Sequence, residues 1–201
     1  MPQTDLPPFF SRSAAGDLQI ERVTAGEITA RFGSPTYVYS RAAIESAFNA
    51  LTEAFGERAH RICYAVKANS NIGILNLLAR LGAGFDIVSY GELARVQAAG
   101  GEPGRCVFSG VGKSADEIRG ALAAGIGCLN VESEAELRRI ASIASEMQTI
   151  APISLRVNPD VDARTHPYIS TGLKKNKFGI AIDEALPLYE WAHAQPSLTV
   201  T

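Results

Sequence analysis

The repeating unit of this fold is clearest in residues 61–100, which read RICYAVKANS NIGILNLLAR LGAGFDIVSY GELARVQAAG. Two short apolar runs, at residues 62–66 and 85–88, are each followed by a polar or glycine-containing turn and then by an Ala/Leu-rich stretch that ends near a glycine. A short apolar run bounded by turns is typical of a buried strand, and the longer stretch is typical of a helix. The segment therefore predicts two successive βα units.

The same period continues towards residue 201. The first four runs start a little more than twenty residues apart, which suits a strand plus a crossover helix with short loops. The later runs are residues 106–108, 127–131, 153–157 and a last one beginning at Leu198. Ser114 and Ser133 each have a carboxylate three residues on and so predict helix starts. Alternating strands and helices predict a parallel sheet, either an open doubly wound sheet or a barrel, and periodicity does not separate these two.

The length of the chain bears on the barrel alternative. A full (β/α)8 barrel usually takes ~250 residues, whereas this chain has 201 residues and supplies five complete strands and the start of a sixth. We therefore expect residues 36–201 to be the N-terminal part of a barrel whose remainder follows residue 201. Residues 1–35 include a loosely alternating β-prone stretch and close with the breaker Gly33-Ser34-Pro35. We assign them to a β domain.

Composition and charge exclude several classes of function. The net charge is −2 and the basic residues are dispersed, which argues against a nucleic-acid-binding surface. No apolar run approaches the roughly 18 residues of a membrane span, and the Pro-rich start lacks the pattern of a secretory signal. The odd number of widely spaced cysteines suits reduced thiols in a cytoplasmic protein. The three histidines lack metal-ligand spacing, so no metal site is predicted.

Lys67 is the candidate catalytic residue, because it follows the first apolar run directly in Tyr64-Ala-Val-Lys-Ala-Asn69. The carboxyl ends of parallel strands form the active face of α/β folds, so a lysine here points towards the mouth of a pocket. An amine in that place is a candidate for Schiff-base formation with an aldehyde cofactor. The alternative is a solvated lysine at a strand end. Lys67 is, however, the sole lysine before Lys113 in a chain that favours arginine.

Two further residues are candidates for the same site. Asp86 occupies the matching position on the next strand, where a carboxylate would stabilise and orient a cationic imine. Its alternative role, shared with Ser89, is to cap the following helix. Arg156 closes a later strand, and it either supports the cofactor site or pairs with Asp86; we favour the supporting role. A long polar loop at residues 166–172, leading to Lys177-Phe-Gly179, is a candidate binding loop.

The stretch Ser109-Gly-Val-Gly-Lys-Ser114 invites comparison with a phosphate-binding loop. The nucleotide motif requires a glycine five positions before Gly112, and that position is Val107. We therefore predict an ordinary turn at the end of a strand.

Four stretches together resemble the alanine-racemase-like (fold type III) pyridoxal-phosphate decarboxylases. They are Tyr64-Ala-Val-Lys-Ala-Asn69, Phe85-Asp-Ile-Val-Ser-Tyr-Gly-Glu92, Arg156-Val-Asn-Pro159, and residues 166–172 with Lys177-Phe-Gly179. The likeness covers essentially the whole chain. The His-Pro-Tyr-Ile-Ser-Thr-Gly stretch before Lys-Phe-Gly resembles the diaminopimelate decarboxylase branch of this family more than its ornithine and arginine branches.

The resemblance implies an incomplete (β/α)8 TIM barrel, a β domain built from both chain ends, and a homodimer with shared active sites. By that match Lys67 holds pyridoxal 5'-phosphate covalently, Asp86 lies near the cofactor, and Arg156 supports the site. It also implies cytoplasmic decarboxylation of meso-2,6-diaminopimelate to L-lysine and CO2. The other pocket residues are expected after residue 201, so the isolated chain is expected to be inactive.

Three alternatives stay open at this point. The first is a barrel that carries pyridoxal phosphate without turnover, and the second is a related ornithine or arginine decarboxylase. The third is a plain α/β domain in which Lys67 is an ordinary surface residue.

Overall fold

The structure is a computed structural model that describes residues 6–159 and 179–201. The chain divides into two compact units, Met1–His60 and Arg61–Thr201. No helix in the described ranges is both long enough and apolar enough to cross a membrane. The candidate binding loop at residues 166–172 and Lys177 lie outside the described residues.

The N-terminal unit contains an antiparallel sheet followed by two helices. Its elements are β1 (Phe10–Arg12), β2 (Leu18–Ile20), β3 (Val23–Thr24), α1 (Ala25–Phe32) and α2 (Arg41–Phe55). The three strands pair in the order β1-β2-β3. Helix α1 begins with a capping box, in which Thr24 and Glu27 each accept a hydrogen bond from the other's backbone N–H. The β-prone stretch seen in the sequence is therefore a small sheet.

The second unit alternates strands and helices. Its elements are β4 (Cys63–Ala65), a 3₁₀ turn (Val66–Ala68), α3 (Ile72–Arg80), β5 (Gly84–Ile87), α4 (Tyr90–Ala98), a 3₁₀ turn (Pro103–Arg105), β6 (Cys106–Phe108), α5 (Ala115–Ala123), β7 (Cys128–Val131), α6 (Glu134–Glu146), β8 (Ala151–Leu155), β9 (Val157–Asn158), β10 (Ile180–Ala181), α7 (Ile182–His193) and β11 (Leu198–Val200). The helix starts predicted at Ser114 and Ser133 are confirmed, since each serine accepts a hydrogen bond from the backbone of the glutamate three residues on.

One predicted strand is divided in two. Residues 153–157 were expected to form one run, but β8 ends at Leu155 and β9 begins at Val157. Strand β9 leaves the main sheet and pairs in parallel with β10, which the sequence did not predict. Arg156 lies between the two strands. The break therefore follows from a pairing between residues that are distant in the sequence.

The order of the main sheet decides between the two predicted architectures. Its six strands are all parallel and lie in the order β4-β5-β6-β7-β8-β11, with each strand next to its predecessor in this series. In a doubly wound sheet the strand order reverses at a switch point. No reversal occurs in the described sheet, so the strand order argues against the doubly wound alternative and matches six successive strands of a barrel.

The two faces of this sheet have different surroundings. Strand residues such as Phe85, Leu129 and Ile153 are fully buried, and they alternate with partly exposed residues on the opposite face. In a (β/α) barrel the helices cover the outer face and the other face lines the interior. Asp86, Asn130 and Ser154 belong to the partly exposed set. The apolar face therefore holds the sheet against its helices, and the interior face carries polar side chains together with apolar ones such as Ala65 and Val107.

Candidate cofactor-binding site

Lys67 lies at the carboxyl end of β4, in the 3₁₀ turn Val66–Ala68. Val66 is fully buried and anchors this turn, whereas the side chain of Lys67 is exposed. Two hydrogen bonds brace the segment around it: the Tyr64 hydroxyl donates to the Asn69 carbonyl (3.3 Å), and the Asn71 N–H donates to Asn69 Oδ1 (3.0 Å). The lysine therefore extends from a braced turn at a strand end, as the sequence predicted.

Asp86 is the neighbour of this turn on the adjacent strand. In the pairing of β4 with β5, Ala65 is opposite Asp86, and Lys67 follows two residues later. Ser109 Oγ donates to Asp86 Oδ1 at 2.5 Å. The cap of helix α4 is Ser89, which accepts from the Glu92 N–H (3.2 Å). The capping alternative thus holds for Ser89 and is wrong for Asp86.

The contact at Asp86 is the end of a longer series of hydrogen bonds. Asn130 Nδ2 donates to Ser109 Oγ (3.0 Å), and Ser154 Oγ donates to Asn130 Oδ1 (2.9 Å). We call Asp86, Ser109, Asn130 and Ser154 the polar row. Its members lie on, or directly after, the four neighbouring strands β5, β6, β7 and β8. The sequence analysis missed three of the four, because nothing in the order of residues shows that they meet.

Arg156 has a different partner from the one considered in the sequence analysis. Its Nη1 lies 3.1 Å from Glu132 Oε1 and 3.3 Å from Oε2. The Glu132 side chain is only 2% exposed, and its Oε1 also accepts from the Gly110 N–H (3.1 Å). Among the residues that the structure describes, the carboxylate paired with Arg156 is Glu132, so the pairing with Asp86 is wrong. Buried Glu132 follows β7 directly and needs a cation more than the partly exposed Asp86 does.

Lys113 forms the centre of a buried network that the sequence analysis did not find. Its side chain is 1% exposed, and Nζ donates to Glu136 Oε1 (2.7 Å), to the Gly110 carbonyl (2.7 Å) and to the Asn130 carbonyl (2.8 Å). These three acceptors use all three hydrogens of the ammonium group. The other oxygen of Glu136 accepts from the Glu132 N–H (2.8 Å). The network thus connects the loops after β6 and β7.

The two lysines that the structure describes therefore differ in burial and in hydrogen bonding. The ammonium of Lys113 is enclosed and fully hydrogen-bonded, while that of Lys67 is exposed and forms no hydrogen bond or ion pair within residues 6–159 and 179–201. An amine must be accessible in order to condense with an aldehyde. Of these two lysines, only Lys67 fits a pyridoxal phosphate cofactor.

Comparison with known proteins agrees with this geometry. Residues 41–201 match the family model described as the pyridoxal-dependent decarboxylase, pyridoxal binding domain. The chain belongs to this family. The part of the chain that matches the family model includes every residue of the polar row, both described lysines and Arg156. The expected family and its cofactor are therefore confirmed, and the alternative of a plain α/β domain without a cofactor is wrong.

Relatives within the family carry a more specific name. The chain is 62% identical over 173 residues to diaminopimelate decarboxylase of Pseudomonas aeruginosa. The aligned region covers 86% of this chain and 42% of that protein. It is 56% identical over 192 residues to diaminopimelate decarboxylase of Vibrio cholerae, and that alignment covers 96% of this chain and 46% of that protein. The chain thus spans less than half the length of these relatives.

Solved structures of diaminopimelate decarboxylases share the fold. The Helicobacter pylori enzyme in complex with L-lysine has a TM-score of 0.84 and 50% identity, over 88% of this chain and 45% of that one. The M. jannaschii enzyme in complex with L-lysine has a TM-score of 0.86 and 35% identity, over 96% of this chain and 46% of that one.

Proposed function

We propose that this chain is the pyridoxal-binding part of a diaminopimelate decarboxylase, which converts meso-2,6-diaminopimelate to L-lysine and CO2. The observation that carries the proposal is the accessible Lys67 amine, which extends from a turn at the end of β4, next to the strand that carries Asp86. It is supported by relatives that bear this name at 62% and 56% identity and by two structures of such enzymes that hold L-lysine.

Each of the three candidate residues has a distinct proposed role. Lys67 would hold the cofactor through Nζ, because its accessible amine can condense with an aldehyde. Asp86, on the adjacent strand, would provide a negative charge that stabilises a cationic nitrogen of the bound cofactor. Arg156 neutralises the buried carboxylate of Glu132 (2% exposed). It supports the site in this way and does not itself bind the cofactor.

When bound, pyridoxal phosphate supplies an electron sink for the pair of electrons left behind by departing CO2. The contribution of this chain is to place the groups around that reaction. The turn at Val66–Ala68 fixes where the amine emerges. On the neighbouring strand, Asp86 accepts a hydrogen bond from Ser109, which in turn accepts one from Asn130. Interactions that are held in place before the reaction cost no reorganisation when it occurs.

We further propose that the active protein is a cytoplasmic homodimer that is longer than this chain. The family resemblance supports the dimer, and residues 1–35 then contribute to a β domain, in line with the antiparallel sheet β1-β2-β3. We expect residues 1–201 alone to release no CO2 from meso-2,6-diaminopimelate. Six strands do not close a barrel, and within the described residues β4 and β11 each have a neighbouring strand on one side only.

The test compares three variants of the full-length protein that carries these residues. We expect the wild type to show visible absorbance from bound cofactor and to release CO2 from meso-2,6-diaminopimelate faster than from ornithine or arginine. Lys67→Ala and Lys67→Arg are expected to lose both properties, because neither side chain forms the bond to the cofactor. Arg41→Ala, which removes a cation that is 71% exposed, is the control and is expected to keep the absorbance.

Each alternative predicts a different result in this experiment. Cofactor absorbance without CO2 release from any amino acid would identify a carrier barrel. Preference for ornithine or arginine would identify a related decarboxylase. Full absorbance in Lys67→Ala would contradict the assignment of the cofactor lysine.

A further inference from the structure

The polar row has a direction that follows from the chemistry of its members. An ionised carboxylate can only accept hydrogen bonds, so the single hydrogen of the Ser109 hydroxyl goes to Asp86 (2.5 Å). Ser109 Oγ must then accept from Asn130, and the amide NH₂ is the part of that side chain that donates (3.0 Å). The amide oxygen is left facing Ser154, which donates to it (2.9 Å). In every hydrogen bond of the row, the acceptor is therefore the member nearer to Asp86, or Asp86 itself.

Asn130, in the middle of the row, is held by two further contacts. The backbone carbonyl of Asn130 accepts from the buried ammonium of Lys113 at 2.8 Å. The Asn130 side-chain oxygen accepts a second, weaker contact from the thiol of Cys128 at 3.7 Å. The amide is therefore held at its backbone and at its oxygen, and its NH₂ group is left directed at Ser109.

The position of the row indicates that it serves the site and not the core. Asp86, Ser109, Asn130 and Ser154 are all partly exposed on the interior face, whereas the opposite face of the same strands carries the fully buried apolar residues. In a barrel the groups of the site lie near the carboxyl ends of the strands, and the row lies on, or directly after, four neighbouring strands. What the hydrogen bonds of the row provide is a single orientation for the carboxylate next to the cofactor lysine.

We propose that Ser109, Asn130 and Ser154 are positioning residues that hold the Asp86 carboxylate in one orientation towards the cofactor nitrogen joined to Lys67. The inference rests on the proposed function. It assigns a role to three residues that do not themselves touch the lysine, and their influence decreases with the number of hydrogen bonds between each residue and Asp86.

The main test is Ser109→Ala in the full-length protein loaded with pyridoxal phosphate. The matched control is Ser142→Ala, because the Ser142 hydroxyl also donates to a carboxylate, Glu146 (3.1 Å), on the exposed surface of helix α6. Two properties are measured: the pH midpoint of the visible absorbance of the bound cofactor, and kcat/KM for meso-2,6-diaminopimelate. The melting temperature of each variant is recorded beside them.

We expect Ser109→Ala to lower the absorbance midpoint by about one pH unit, because a misoriented carboxylate stabilises the protonated cofactor nitrogen less. We expect kcat/KM to fall on the order of tenfold, the loss associated with one hydrogen bond to a charged group. Asn130→Ala is expected to act in the same direction, and Ser154→Ala to have a smaller effect. Ser109→Thr keeps a hydroxyl and is expected to restore both properties. Ser142→Ala is expected to change neither.

An unchanged absorbance midpoint in both Ser109→Ala and Asn130→Ala would overturn the proposal, as would losses that follow melting temperature across all variants. Failure of the proposed function is recognised separately. In that case the wild type itself lacks cofactor absorbance that depends on Lys67, and the inference falls with it.

Discussion

Replacing Lys113 with methionine removes the cation of a buried pair. The side chains of Lys113 and Glu136 are 1% and 7% exposed, and Nζ lies 2.7 Å from Oε1. The substitution keeps most of the length of the aliphatic chain and deletes the charge. It leaves the Glu136 carboxylate without its cation and also removes a donor from the carbonyls of Gly110 and Asn130.

The expected cost follows from this burial. Breaking a buried ion pair by removing one partner typically costs 3–5 kcal/mol, because a charge is left uncompensated. We therefore expect Lys113→Met to lower the free energy of unfolding by about 4 kcal/mol, a large part of the roughly 5–15 kcal/mol of a typical domain. An exposed pair is expected to contribute far less. Arg41 and Glu45 lie 2.7 Å apart with the arginine 71% exposed, and Arg41→Ala is expected to cost roughly 0.5 kcal/mol.

A double-mutant cycle measures the coupling directly. Urea unfolding of the full-length protein is followed by circular dichroism for Lys113→Met, Glu136→Gln and the combined variant. Removing both charges leaves no buried ion unpaired, so we expect the combined variant to lose about 2 kcal/mol less than the sum of the two single losses. Strictly additive losses, or a loss from Lys113→Met no larger than that from Arg41→Ala, would refute the assignment of a buried, mutually compensating pair.

Three further predictions concern other parts of the chain. Hydrogen bonds from the backbone N–H groups of Ser114 and Tyr90 lower the pKa of Glu117 below its usual 4.5. The ionised Glu117 carboxylate therefore stabilises the folded protein above pH 4.5, and this stabilisation is lost as the pH falls through the lowered pKa of the folded state. Glu117→Gln is expected to reduce the melting temperature at pH 7, and the difference from the wild type is expected to disappear on acidification. Burial raises the pKa of the Cys106 thiol to about 11, so we expect iodoacetamide at pH 8 to modify Cys106 only after unfolding, as checked by mass spectrometry. Val66 is fully buried, and Val66→Ala is expected to cost about 2 kcal/mol and to weaken cofactor retention in gel filtration, whereas unchanged retention would contradict its role as the anchor of the lysine turn.

Much of the fold could be predicted because its causes are local. The apolar runs at residues 62–66 and 85–88 correspond to β4 and β5, since a short apolar run between turns already favours a strand. Ser114 begins a helix for an equally local reason, because its hydroxyl and the Glu117 carboxylate bond to each other's backbone N–H groups. The position of Lys67 after a strand was predicted in the same way, and the structure places it there.

The sequence alone thus determined the βα period, the helix starts and the strand-end lysine, and its motifs indicated a pyridoxal-dependent decarboxylase. The motifs also implied a barrel. Only the tertiary structure established which strands pair with one another, that Arg156 pairs with Glu132, and that Lys113 is buried while Lys67 is exposed. The physical reason is the range of the interactions. Turns, caps and hydrophobic periods act over a few neighbouring residues, whereas strand order, charge pairing and burial depend on contacts between residues that meet only when the chain has folded.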